Sequence, residues 1–184
     1  LIAFSVGGAM SAAGGVVQTG AAVTRIDKTG DGWRVATKDA DHSGRILVNA
    51  GGAWADKIAV MAGIAPIGIT PYRRSVARVP GPAGHDVSGW PMLLGAGETW
   101  YAKPDAGQMI VSPAEEDPVT EPHDAWPEDL MLAQGIASYQ AFITQEVTRL
   151  TASWAGLRSF APDRALVLGP DRDDASFIWV AGQG

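Results

Sequence analysis

Alternating apolar and polar positions dominate much of the chain, and helical spacing is confined to a few stretches. Val16-Val17-Gln18-Thr19, Ala22-Val23-Thr24-Arg25-Ile26 and Trp33-Arg34-Val35-Ala36-Thr37 read as strands. Lys28-Thr29-Gly30-Asp31-Gly32 supplies hairpin chemistry between the last two. Residues 39–44 read as a polar turn. The apolar run Ile46-Leu47-Val48 then suits a strand buried on both faces. Asn49-Ala50-Gly51-Gly52 breaks it, and residues 54–62 read as a helix stopped by Gly63. Strand, glycine turn and helix in this order aim backbone N–H groups and a positive dipole end at an anion such as phosphate. The same pattern also occurs as nothing more than a tight turn.

Past Ala65-Pro66 a second β-rich region begins. Tyr72-Arg73-Arg74-Ser75-Val76-Ala77-Arg78-Val79 is a strand with three arginines, and Trp90-Pro91-Met92-Leu93-Leu94 starts another run. Residues 98–104 and 108–112 form a hairpin about Asp105-Ala106-Gly107. Residues 115–128 are an acidic, proline-rich loop. Pro127 opens a helix that the spacing extends to about residue 148, with Leu130, Ala133, Ala137, Tyr139, Phe142 and Ile143 on its apolar side. Further strands are expected at 154–160, 165–168 and 176–180. Residues 1–13 read as the end of a helix. The uncharged stretch 1–23 contains five glycines and makes a poor bilayer span, and it lacks the basic start of a signal peptide. The pattern is mixed α/β (α+β), with residues 71–155 as an inserted, mainly antiparallel domain.

The composition narrows the chemistry. The chain has 184 residues, and 46% of them are hydrophobic, enough for a real core. It has no cysteine, so disulfides, thiolate metal sites and cysteine nucleophiles are excluded. A net charge of −6 argues against nucleic acid and anionic membrane as partners. His42, His85 and His123 fall in loops without metal-ligand spacing, so no metal is expected. Strand arginines remain as candidates: Arg73, Arg74 and Arg158. An arginine on an apolar strand needs an anion if its head turns inward, and an internal salt bridge or plain exposure is the usual outcome. Tyr101 reads equally well as a half-buried hairpin tyrosine.

Several stretches together resemble the flavin-dependent D-amino-acid oxidase superfamily. They are Gly15-Val16-Val17 through Val23, and Val48-Asn49-Ala50-Gly51-Gly52-Ala53-Trp54-Ala55-Asp56. Tyr72-Arg73-Arg74, Trp90-Pro91-Met92-Leu93, Tyr101-Ala102-Lys103-Pro104-Asp105-Ala106-Gly107, Ser112-Pro113-Ala114 with Asp117-Pro118-Val119, Trp154-Ala155-Gly156-Leu157-Arg158-Ser159-Phe160 and Trp179-Val180-Ala181-Gly182-Gln183-Gly184 look most like bacterial D-arginine dehydrogenases within that group. The resemblance covers essentially the whole chain. It implies an FAD-binding, Rossmann-like domain (residues 1–70 and 156–184, both partial) and a substrate domain (71–155) whose mixed sheet roofs the flavin. It implies hydride transfer from the Cα–N bond of a D-amino acid, D-arginine or another basic one, to FAD, giving the imino acid. Arg74, Arg158 and Tyr101 then look like the groups that hold the substrate carboxylate. Val23 matches a position at the adenine end of FAD. Ala50, Gly51 and Trp54 match the turn beside the cofactor, and Gln183 and Gly184 the segment passing the flavin ring.

The family's N-terminal Gly-x-Gly-x-x-Gly turn, which cradles the pyrophosphate, is absent. The start at Leu1 and the end at Gly182-Gln183-Gly184 lead us to expect a fragment truncated at both ends. Two other readings stand beside the dehydrogenase: an oxidase of glycine, sarcosine or another amine, and a non-catalytic module that has lost FAD. The expected partners are a small-molecule D-amino acid and an electron acceptor of unknown identity, with no integral membrane segment. The lack of a targeting signal points to the cytoplasm.

Overall fold

The computed structural model describes residues 12–144 and 146–184. Strands β1 (Val23–Thr29), β2 (Gly32–Thr37) and β3 (Asp41–Gly44) form an antiparallel meander. Its first turn needs a glycine at Gly32, which sits at φ 155°, where a Cβ would lie 2.2 Å from the Gly44 carbonyl oxygen. Strand β4 (Leu47–Asn49) leads through a single 3₁₀ turn, Gly52–Trp54, into helix α1 (Ala55–Met61). Gly63, at φ 74°, ends that helix as its sequence predicts. Asn49 is buried and ties strand to helix. Its Nδ2 donates to the Ala55 carbonyl (2.8 Å), and its Oδ1 accepts from the Gly51 N–H (3.2 Å). Asp56 fixes the connector that follows by accepting from the N–H groups of Ile67, Gly68 and Ile69.

A six-stranded sheet is built around β5 (Thr70–Val79). Its other strands are β6 (Leu93–Leu94), β7 (Tyr101–Asp105), β8 (Gln108–Ser112), β9 (Asp117–Pro118) and β10 (Ala152–Phe160). The order is β10-β5-β8-β7-β6, and β9 pairs with β5. Helix α2 (Asp129–Gln140) covers one face of this sheet. Register places Ala77, Val111 and Ala102 side by side there. They pack with Val79, Met109, Trp100, Leu132 and Tyr139 in one core. Gly135 lets the helix come close, since a Cβ there would lie 2.8 Å from the Pro113 nitrogen. A third sheet has the order β11-β12-β4, from β11 (Val167–Pro170) and β12 (Phe177–Ala181). β12 runs parallel to β4 and antiparallel to β11. Its Phe177 and Trp179 join Ile26, Trp33, Ala55 and Ala59 in a second core. Burying a large side chain of this kind stabilises the fold by roughly 1.5–3 kcal/mol. The architecture is mixed α/β and dominated by sheets. No helix among the described residues is long and apolar enough to cross a membrane.

The structure corrects several expectations. Residues 16–19 form no strand, and Val16 and Val17 are exposed; no strand among the described residues completes a ladder with them. Residues 41–44 form a strand instead of a turn, because pairing with β2 satisfies their backbone without a buried face. Residues 90–94 contribute only the two-residue β6. Ile46 and Val48 are 62% and 53% exposed, not buried on both faces. Leu168 of β11 is exposed in the same sheet, which packs into the core on the side of Phe177 and Trp179. Helix α2 stops at Gln140 and not near 148. The β-branched Ile143, Thr144, Val147 and Thr148 disfavour its continuation. Its buried line is Leu132, Gly135 and Tyr139, whereas Leu130, Ala133, Ala137 and Phe142 are exposed. The helix expected at 1–13 falls almost wholly outside the described residues.

Candidate active site

The sheet face opposite α2 carries a cleft of about 940 Å³. Antiparallel register sets Arg74 opposite Gly156 and Tyr72 opposite Arg158, so Arg74 and Arg158 are diagonal neighbours on one face. Both line the cleft, together with Tyr101 and Lys103 from β7. Glu116 and Arg164 join them from loops. Arg74 is 8% exposed, and its Nη2 donates to Glu116 Oε1 at 3.1 Å. Its Nε is buried with no partner among the described residues. Arg164 Nη2 donates to both Glu116 oxygens, at 2.8 and 2.7 Å.

Arg158 is half-buried, and it forms no hydrogen bond or ion pair among the described residues. Its guanidinium lies 5.2 Å from the centre of the Phe160 ring, and that of Arg164 lies 4.2 Å from the same ring. Burial, and then the neighbouring Arg74, push Arg158 below the usual arginine range; Tyr101 and Glu116 pull the other way. It remains a cation. Arg74, Lys103, Arg158 and Arg164 thus face Glu98 and Glu116 around the cleft, leaving an excess of positive charge that suits an anionic ligand.

Glu116 is held from below. The buried Glu115 accepts a hydrogen bond from the Ser75 N–H of β5, and Asp117 of β9 pairs across to Arg73 of β5. Ala114, at φ 57°, gives its N–H to Ser112 Oγ at 3.2 Å. Sequence reasoning missed both Glu116 and Arg164. They lie in loops without periodicity and meet across 48 residues. The one local hint is the turn chemistry of Pro162-Asp163-Arg164, where Arg164 adopts φ 61°.

The other expected residues fall in two places. Ala50, Gly51 and Trp54 line a second cleft, of about 360 Å³, against Ala155, Gly156 and Leu157 of β10. Gly52, at φ 55°, opens onto free space there, while a Cβ on Gly51 would lie 2.3 Å from Ile58. Gln183 is exposed beyond β12. Gly184 reaches the arginine cleft. Its N–H donates to the Ser159 carbonyl (3.0 Å), and a Cβ on it would lie 2.9 Å from Phe160 and 3.1 Å from Arg158 Nη2. Val23 opens β1 and lines neither cleft. The structure therefore unites Arg74, Tyr101, Arg158 and Gly184, sets the glycine turn on the neighbouring strand segment, and leaves Val23 apart.

The hydrogen cyanide synthase subunit HcnC of Pseudomonas aeruginosa is 26% identical over 159 residues, covering 82% of this chain and 36% of that protein. The fold matches glycine oxidase from Geobacillus kaustophilus with a TM-score of 0.79 at 19% identity, over 98% of this chain and 47% of the oxidase. It matches iminodiacetate oxidase from Chelativorans sp. BNC1 with a TM-score of 0.78 at 19% identity, over 100% of this chain and 48% of that one. The chain thus spans between about a third and a half of these relatives' length. Residues 5–184 match the DAO family, described as FAD dependent oxidoreductase, and the chain belongs to that family.

Proposed function

We propose that the protein of which this chain forms part oxidises the Cα–N bond of a D-amino acid, with basic ones such as D-arginine preferred. In this reading residues 71–155 form the substrate domain, and residues 1–70 and 156–184 belong to the FAD-binding domain. One observation carries the reading. Arg158 stands beside Arg74 in a cleft with surplus positive charge and pairs with no carboxylate among the described residues of this chain. A substrate carboxylate supplies that partner. Two planar guanidinium groups fix its orientation as well as its position, and the Tyr101 hydroxyl in the same cleft donates to it. Glu98, on the rim of the cleft at φ 58°, offers a carboxylate to a cationic side chain.

The residues present fit FAD where they would meet it. Gly184 packs its backbone closely on Phe160 and Arg158, where a Cβ would not fit, and the glycine turn lines a cleft beside Trp54 with nothing within 4 Å of a Cβ on Gly52. When bound, FAD would supply the acceptor for the hydride, which carries both electrons away from Cα. This chain's own residues hold the carboxylate so that Cα–H faces one direction. Holding reactants in place can contribute on the order of 7 kcal/mol of a barrier. The arginines also favour the neutral amine, whose lone pair forms the C=N bond as the hydride leaves.

The test uses the full-length protein loaded with FAD. It is mixed without oxygen with D-arginine, L-arginine, glycine or sarcosine while flavin absorbance is followed. Fast bleaching by D-arginine is expected. Arg158→Lys keeps the charge and loses the fork, and it should cost about 100-fold in kcat/KM, or roughly 2.7 kcal/mol. Unchanged kcat/KM in that variant removes Arg158 from substrate binding. Faster reduction by glycine or sarcosine replaces the D-amino-acid reading with an amine oxidase, and the rate of reoxidation by oxygen separates oxidase from dehydrogenase.

A further inference from the structure

Glu116 occupies an odd position, among the guanidinium groups of Arg74, Arg158 and Arg164 in the cleft. It accepts from Arg74 through one long contact of 3.1 Å. It accepts from Arg164 through two short ones, 2.8 and 2.7 Å, one to each oxygen. Arg164 is also steadied over the Phe160 ring. The backbone of Glu116 is pinned on both sides, by Glu115 on the Ser75 N–H and by the β9 pairing with β5. Only its side chain is free to turn. Arg74 therefore has a protein carboxylate on its Nη2 within the cleft lining, and that carboxylate has a better partner in Arg164.

We propose that Glu116 is a carboxylate placeholder. It occupies Arg74 while the cleft is empty and withdraws to Arg164 alone when a ligand carboxylate takes its place. This rests on the reading that Arg74 and Arg158 bind the substrate carboxylate. Glu116 is on this view a positioning residue. It keeps the buried Arg74 head aimed into the cleft, and it sets how tightly a carboxylate must bind to displace it. Arg164 is its dock. Withdrawal breaks one charge-assisted hydrogen bond and keeps two, so the exchange costs little.

The pair gives a test with a sign. Propionate binding to the full-length, FAD-loaded protein is measured by titration calorimetry, a readout independent of turnover. Glu116→Gln removes the competitor and should tighten propionate about tenfold, equivalent to about 1.4 kcal/mol. Arg164→Gln leaves Glu116 with Arg74 alone and should weaken propionate. A change in local charge would give the same two signs, so the double variant decides. Its charge count equals that of the parent. With the competitor gone it should keep the tight binding of Glu116→Gln, whereas a return to parental affinity overturns the placeholder. Weaker binding in both single variants overturns it too, because that is what a merely structural ion pair would give. Glu116→Gln is nearly isosteric, and flavin content with thermal melting checks that each variant folds. The parent must itself bind propionate, and Arg158→Lys must weaken it. Failure there overturns the reading of the site, and the placeholder with it. Failure of the double variant alone overturns only the placeholder.

Discussion

The two faces of the six-stranded sheet handle their charges in opposite ways. On the side covered by α2, Arg73 has two carboxylates, Asp117 at 2.6 Å and Glu128 at 2.7 Å, and Ala77 and Val111 are buried in a hydrophobic core with Leu132 and Tyr139. One residue further along β5, Arg74 turns to the other side, shares a single carboxylate with Arg164, and stands beside Arg158, which has none among the described residues. Neighbouring residues of one strand thus serve different ends because the pleat sends them to different faces. An arginine with its partners built in stabilises the fold, modestly when exposed. A half-buried arginine without one costs stability, a cost that the proposed substrate carboxylate would offset at Arg158.

The largest expected effect comes from breaking the covered face. Tyr139 is 1% exposed and meets Trp100 edge-on at 5.7 Å. Tyr139→Ala should cost about 3–5 kcal/mol of stability, read from the midpoint of urea unfolding, through lost burial and the cavity left behind. The comparison predicts that the still-folded fraction binds carboxylates as before. A large loss of propionate affinity per folded molecule would mean that the two faces are not independent.

A smaller and sharper test makes the same substitution on both faces. Arg158→Lys should lose about 100-fold in kcat/KM. Arg73→Lys keeps a charge beside Asp117 and Glu128 and should leave kcat/KM within about twofold, with only a slight change in melting temperature. Equal losses in the two variants would remove the distinction between a structural and a ligand-seeking arginine.

Sequence shows one face of this site better than the other. The strands at 72–79 and 154–160 are legible, and so is the hairpin about Asp105-Ala106-Gly107, because turn residues and alternation are local signals. The resemblance to the flavin family picks out Arg74, Tyr101 and Arg158, and the register then sets the two arginines on one face. Glu116 and Arg164 escape both routes. Neither lies on a periodic element, and their contact spans 48 residues, which no local pattern reports. The length of α2 is misread for a related reason. Phe142 and Ile143 continue the apolar spacing, yet Phe142 is 73% exposed, and the sheet chooses the line through Gly135 because only a glycine allows the approach to Pro113. The run Ile46-Leu47-Val48 is read correctly as a strand and wrongly as buried, since hydropathy cannot say which faces a sheet will have covered.

The smallest effect lies outside the sheet, where a charge is fully satisfied by the protein itself. Asp174 accepts from the Lys28 ammonium and from Ser176 Oγ (2.7 Å), and Ser176 Oγ also accepts from Trp33 Nε1 at 2.9 Å. This network ties the first hairpin to the turn before β12. The Lys28 hydrogen bond, followed by that of Ser176, lowers the Asp174 carboxyl from 3.8 to about 2. A depressed acid contributes stability that is present above its unfolded value and is lost as pH falls through its folded value. The contribution should therefore be complete above about pH 4 and fade toward pH 2. Asp174→Asn cannot titrate, so its stability should lie below the parent's at pH 5 and converge with it near pH 2, as followed by urea unfolding across that range. Being exposed, the pair should produce a small gap. A constant gap from pH 5 to pH 2 would show that Asp174 stabilises through its hydrogen bonds alone. The paired and unpaired charges of this protein would then differ in geometry and not in the state of their protons.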